Sequence, residues 1–293
     1  MSASTALQTP AESAIGGTRR NLIKRLLRNS AFLLGGCTVL IIATASLLAP
    51  WISAHEPNAT QVTRRFEGPS REHLMGTDRL GRDTFSRVLH GGRMSLLFGV
   101  ATVAFSGFFG VLLGIFSGFF RAVDEVIMRF IDVLMAFPPI LLAMAIVGAL
   151  GPNLVNAILA IGVAQVPGFV RITRASVLSI RELPFVEAST ALGSRQVRVL
   201  GVHVFPNIVP TVTVYATLQL STAILAGAIL SFLGLGVQPP TPEWGAMVSE
   251  ARRYLRLDAM AAIWPIGALF FTVLGFNFLG DGVRDVMDPK LGR

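Results

Sequence analysis

Long apolar runs divided by short polar breaks set the pattern of this chain. Six runs, at 31–51, 94–120, 133–151, 154–170, 208–236 and 259–280, are apolar over most of their length. A helix rises about 1.5 Å per residue, so about 20 residues cross the hydrocarbon core of a bilayer. Runs of this length predict an all-α integral membrane protein with six transmembrane helices. The run at 94–120 holds no charged residue, whereas Asn156, Gln165 and Pro167 interrupt the run at 154–170. Pro138 and Pro139 in the third run, and Pro265 in the sixth, are expected to kink their helices. Membrane helices tolerate this where neighbours satisfy the freed carbonyls.

The runs imply a domain plan: an N-terminal segment at 1–28, a transmembrane domain at 29–281 and a C-terminal tail at 282–293. Three connections are long, at 52–93, 171–207 and 237–258. Basic residues orient the plan. With the N-terminus in the cytoplasm, fifteen of the 25 Lys and Arg fall in cytoplasmic segments. Arg19, Arg20, Lys24, Arg25 and Arg28, ahead of the first run, are the strongest part of this signal. Both termini and the loop 171–207 are then cytoplasmic, and the loops 52–93 and 237–258 are external. The apolar run begins only after Arg28 and is too long for a signal sequence, so it reads as a retained first span.

Composition agrees with the spans. The chain is 52% hydrophobic and only 14% charged, against about 25% charged in a soluble domain. The net charge of +8 suits either nucleic acid or an anionic membrane surface. The spans favour the membrane, and no zinc-type Cys/His spacing or basic–aromatic run supports nucleic acid. The single cysteine, Cys37, cannot form an internal disulfide and reads as a small apolar residue of its helix.

Chemistry is scarce along the chain. His55, His73, His90 and His203 are scattered, and none sits in a metal-ligand spacing. No catalytic set, metal or cofactor is therefore expected here. The span interiors hold almost no ionisable group, since Asp132 lies at a membrane edge and Asp281 just past the last span. An ion-coupled carrier would place carboxylates or histidines there, so that class is disfavoured, while a passive channel stays open. Neither Lys24 nor Lys290 follows the glycines of G-x-x-x-x-G-K-[ST]. If ATP drives transport, ATP and Mg bind another polypeptide.

Three groups of residues carry positional information. Gly110, Gly114 and Gly118 recur every fourth residue and form a flat stripe for close helix approach, either within this subunit or against a partner. Thr211, Thr213, Tyr215, Gln219, Ser221 and Thr222 are polar positions in the fifth run. They are candidates for a translocation path, with helix–helix hydrogen bonding as the alternative. In the loop 171–207, Pro184 suits the first turn of a helix and Glu187 suits its positive end. Ala188-Ser189-Thr190-Ala191 is a run of small residues, which lets a helix lie close to another surface. Gly193 falls where a left-handed C-terminal cap is expected.

Glu187-Ala188-Ser189, Gly193 and Pro206 resemble the EAA loop of bacterial ABC importer permeases, with Ser189 where alanine is usual. His73-Leu74-Met75-Gly76-Thr77-Asp78 with Gly81-Arg82-Asp83 resembles an external-loop signature of the C-type permease of dipeptide/oligopeptide importers. That signature commonly has proline where this chain has Met75. Arg121 with Asp124, Met128-Arg129, Asp132 and Ala136-Phe137-Pro138 are similar too. So are the Ser231–Gly236, Pro239–Gly245, Phe276–Gly282 and Arg284–Pro289 segments. The matched positions run from residue 73 to residue 290.

The resemblance implies a type I ABC importer permease fold in a bacterial inner membrane. It implies a coupling helix, Phe185 to Gly193, that docks on a cytoplasmic ATPase, with Pro184, Phe185, Glu187, Ala188, Ser189, Leu192 and Gly193 forming the contact. It also implies a homologous second permease, two ATPase subunits and an external substrate-binding protein. The loop 237–258, with Trp244, is a candidate contact for that binding protein, or else an interfacial re-entrant segment. The competing classes are a stand-alone channel or carrier and a membrane-embedded enzyme.

Overall fold

The computed structural model describes residues 24–287. Residues 1–23 and 288–293 lie outside it, and with them Arg19, Arg20, Lys290, Arg293 and most of the N-terminal segment. The chain forms α1 (Ser30–Leu47), α2 (Ala49–Ile52), α3 (Thr84–Phe119), α4 (Arg121–Met135), α5 (Pro139–Leu150), α6 (Leu154–Arg181), α7 (Pro184–Ala191), α8 (Gln196–Val199), α9 (Phe205–Phe232), α10 (Trp244–Ala251) and α11 (Met260–Met287). A π-helical turn, Leu200–Val204, carries α8 into α9. Among the described residues, β-pairing is limited to one isolated bridge between Thr77 and Asp83.

Five helices are long and apolar enough to cross a membrane: α1, α3, α6, the continuous α8–α9 unit and α11. The sixth crossing is divided, because α4 and α5 meet at 89°. The expected kink is therefore a break. Pro138 and Pro139 lack backbone N–H groups, and Pro138 disfavours helical geometry at Phe137. Pro139 instead opens α5 from its first turn. Elsewhere single prolines do not end helices: Pro167, Pro210 and Pro265 all lie inside them.

Three helices extend well past their apolar runs. α3 begins ten residues before its run, at Thr84, where the Asp83 carboxylate accepts from the Ser86 N–H at 2.7 Å. α6 continues past its run to Arg181, since nothing between Val170 and Arg181 breaks a helix. Arg171, Arg174 and Arg181 thus sit on a helix, not in a loop. α11 likewise runs on to Met287.

The centre of the bundle is the pairing of α3 with α6. A Cβ on Gly110 would lie 2.3 Å from Phe169 Cβ, one on Gly114 2.6 Å from Thr173 Cβ, and one on Gly118 2.7 Å from Val177 Cβ. The glycine stripe packs within this chain, where both arrangements had been open. α1 lies on the flank against α11 and leaves Leu40 62% and Ile41 66% exposed. A helix surrounded by lipid gains nothing by hiding such side chains.

Candidate functional site

Two ends of the bundle and one face between them carry the polar and exposed features. At 36 residues, α3 is about 54 Å long, and its two ends mark the two sites.

At the C-terminal end of α3, the Arg181 guanidinium donates to the Phe119 carbonyl at 3.3 Å. The chain then turns through Glu182 and Leu183 into α7. Pro184 occupies the first turn, and Glu187 lies in that turn as well. The small helix is held by one apolar side chain, Val186, which is buried with Ile115, Val177, Val199, Val204 and Ile208. The other predicted residues point away from the bundle. Pro184, Phe185, Glu187, Ala188, Leu192 and Gly193 are exposed, and Ser189 is half-buried. Leu192 is 87% exposed, a large apolar side chain offered to whatever lies beyond.

α7 ends as its sequence requires. Gly193 has φ +80°, its N–H donates to the Thr190 carbonyl at 3.0 Å, and the Ser194 N–H donates to the Ser189 carbonyl at 3.1 Å. This pair of bonds is the Schellman arrangement, which needs a left-handed residue at that position. Phe185 and His203 meet edge to face with centroids 5.8 Å apart, tying α7 to the π-helical turn at the start of α9. Arg174 makes two 2.6 Å bonds to the Asp124 carboxylate, and Arg171 pairs with Asp132 at 2.6 Å. These pairs fasten α4 to α6.

The polar positions of α9 divide by helical phase. Tyr215, Gln219 and Thr222 line a groove of about 460 Å³ between α4, α5, α6 and α9, and Thr211 continues the same stripe. Gln219 Nε2 donates to Tyr215 Oη at 2.5 Å. Thr213 lies off this stripe and donates to the Val209 carbonyl. Ser221 is buried and donates to Asn277 Oδ1 at 2.7 Å, so it joins α9 to α11 and does not face the groove. Gln165, which interrupts the apolar run of α6, belongs with Tyr215, Gln219 and Thr222. It lines the groove, and both of its side-chain polar atoms are buried without a partner. A lone amide within an apolar run is the sequence signal for it.

At the other end, the loop 52–93 and α10 form one docked unit. Arg82 and Arg87 are 3% and 2% exposed. Both guanidiniums face Asp78 and Glu250: Arg82 Nε lies 2.6 Å from Asp78, and Arg87 lies 3.7 Å from Asp78 and 3.8 Å from Glu250. Arg82 also bonds Glu250 directly. Glu243 caps α10 by accepting from the Gly245 and Ala246 N–H groups, and it accepts from Ser95 Oγ at 3.0 Å. Trp244 is 1% exposed and donates to the Val88 carbonyl at 2.9 Å. Its ring serves the fold and is not available to an external protein. Near the surface, Arg64 binds Glu72 at 2.8 Å, and its guanidinium holds the Glu72 carboxyl below the usual carboxylate range. Histidines far apart in sequence also meet here: the rings of His55 and His73 stack with centroids 4.7 Å apart.

The comparisons match this geometry. Residues 110–293 fit the family described as binding-protein-dependent transport system inner membrane component. Residues 19–69 fit the N-terminal transmembrane domain of oligopeptide transport permease C. The chain is 41% identical over 273 residues to the dipeptide transport system permease protein DppC of Alkalihalophilus pseudofirmus, covering 93% of this chain and 90% of that one. It is 43% identical over 274 residues to the glutathione transport system permease protein GsiD of Salmonella typhimurium, again covering 93% and 90%. A chain of the inward-facing MetNI methionine ABC transporter superposes with a TM-score of 0.57 at 19% identity, over 68% of this chain and 95% of that one. That likeness carries the fold. Helix order, divided span and sequence relatives converge, and this chain belongs to the family of binding-protein-dependent transport system inner membrane components, the permease subunits of ABC importers.

Proposed function

We propose that this permease forms half of an import path for peptides or peptide-like solutes, driven by two cytoplasmic ATPase subunits that hold ATP and Mg. A homologous second permease completes the path, and an external binding protein delivers the solute. The membrane is the bacterial inner membrane, with both termini and α7 on the cytoplasmic side. The observation that carries the drive is α7. It buries Val186 alone, is ended by a left-handed glycine, and exposes Phe185, Glu187, Ala188 and Leu192 together. Such a helix is built to be held by another protein. The solute class is supported by the dipeptide and glutathione relatives. It is also supported by a groove whose polar groups, Gln165, Tyr215, Gln219 and Thr222, are uncharged hydrogen-bonding groups suited to peptide amides.

Gly193→Asp tests the drive. A non-glycine residue held left-handed costs roughly 1–2 kcal/mol, and the new carboxylate enters the docking surface. In reconstituted vesicles the complex should assemble but lose both solute uptake and solute-stimulated ATP hydrolysis. Unchanged values of both would sink the assignment. Purification in detergent addresses the channel alternative: ATPase subunits should accompany the chain, whereas a channel would function alone.

A further inference from the structure

His55 and His73 form a pair that no step of transport uses. His55 follows α2 by three residues, and His73 lies in the signature segment of the external loop. One nitrogen of each ring and one Asp83 oxygen all lie within 4.8 Å of one another. His73 and Asp83 are 3% and 4% exposed, and His73 Nδ1 lies 2.8 Å from Asp83 Oδ1. A carboxylate accepts, so His73 Nδ1 carries the proton. Asp83 Oδ2 is already occupied by the Ser86 N–H. The carboxylate is thus spent on orienting the ring and capping α3. His73 Nε2 is buried with no hydrogen-bond partner, and in the singly protonated ring it is the nitrogen with the lone pair.

His55 repeats the arrangement. Its Nε2 lies 3.0 Å from the Glu72 carbonyl, which can only accept, so Nε2 holds the proton and Nδ1 the lone pair. A metal-ligating histidine typically donates its other N–H to a carboxylate or a backbone carbonyl. Here one ring does the first and its neighbour does the second.

We propose that the two rings bind a divalent transition cation of the zinc class, His73 through Nε2 and His55 through Nδ1, with Asp83 and the Glu72 carbonyl as orienting partners. Imidazole nitrogen selects this class over Mg²⁺ and Ca²⁺. Zn–N bonds of about 2.0–2.1 Å hold two ligand nitrogens about 3.3 Å apart, so binding would draw the half-buried His55 ring toward the buried His73. Water fills the remaining positions, so binding is reversible. The ion would tie the segment after α2 to the signature segment, well away from the groove and from α7. The site is independent of which solute is carried.

The test uses the full-length chain, without a histidine tag, in lipid nanodiscs, titrated with Zn²⁺ against a fluorescent chelator. Wild type should bind one Zn²⁺ per chain, with Mg²⁺ unable to displace it. Loss of an orienting partner alone weakens metal sites about 10–100-fold, so His55→Ala should weaken binding at least about tenfold. His90→Ala, outside the pair, should leave it unchanged. His73→Asn should also abolish binding, but it alters a buried position, so His55→Ala carries the decision. Stoichiometric binding that survives His55→Ala, or no stoichiometric binding by wild type, would overturn the proposal and leave the stack as packing only.

Discussion

The two ends of this bundle are held by different forces. One is fixed by buried charge: Arg82, Arg87, Asp78 and Glu250 pair at the base of the loop 52–93, and Trp244 is sealed beneath them. At the opposite end, α7 has one buried side chain and a row of exposed ones. Its neighbour is a π-helical turn, met through Phe185 and His203. Buried ion pairs are strongly destabilised when one partner is lost, whereas exposed ones contribute little. The end at the loop 52–93 is built to keep one shape, whereas the end at α7 leaves most of its surface uncovered.

Substitutions can break or sharpen this contrast. The largest effect is expected from Glu250→Ala, which removes one of the two carboxylates facing two buried guanidiniums. Breaking a buried pair costs about 3–5 kcal/mol, so thermal unfolding in detergent should fall sharply. A melting temperature equal to wild type would show that the end at the loop 52–93 is not held by charge. Gly114→Leu comes next, because even a Cβ there meets Thr173 and the Val170 carbonyl at 2.6 and 2.8 Å. Overpacking costs about 1–3 kcal/mol, to be read as lower yield and lower melting temperature.

Gly193→Ala is smaller in stability and informative in mechanism. No atom lies within 4 Å of the added Cβ, so only the left-handed backbone is penalised, by about 1–2 kcal/mol. Uptake should fall, though less than in Gly193→Asp, which adds charge to the same strain. Equal uptake by the two variants would show that strain is the whole effect. The smallest stability change is expected from Gln165→Leu. Its polar atoms have no protein partner, so replacing them with methyls is close to neutral. The KM for uptake of a dipeptide should nonetheless rise, and an unchanged KM would remove Gln165 from the path.

How much of this was legible in the sequence follows from what hydropathy measures. It reports which segments tolerate lipid, and the five long apolar helices were visible on that basis. It does not report where a helix ends. Arg87, His90 and Arg93 hid the N-terminal extension of α3, and Arg171 to Arg181 hid the C-terminal extension of α6, because charged side chains on a helix look like loop to an apolar count. The double proline at 138–139 marked a bend but not its 89° extent. The helix α7 was readable because its signals are local: Pro184 to start, Glu187 at the positive end, Gly193 to stop. The groove was readable only in part, since phase around α9 separates Tyr215, Gln219 and Thr222 from Thr213 and Ser221. Gln165 and the His55–His73 pair depend on contacts between distant segments, which spacing along one chain does not encode.

The central claim, that α7 is the surface an ATPase grips, is tested most directly by cross-linking. Cys37 is replaced by serine, and a single cysteine carrying a short photo-activated cross-linker is placed at Leu192 or, as the control at the other end, at Leu257, which is 72% exposed. In the purified complex, position 192 should yield an adduct with the mass of the permease plus one ATPase subunit, and position 257 should yield none. An ATPase that co-purifies with the permease but forms no adduct from position 192, or forms one from position 257, would contradict the account.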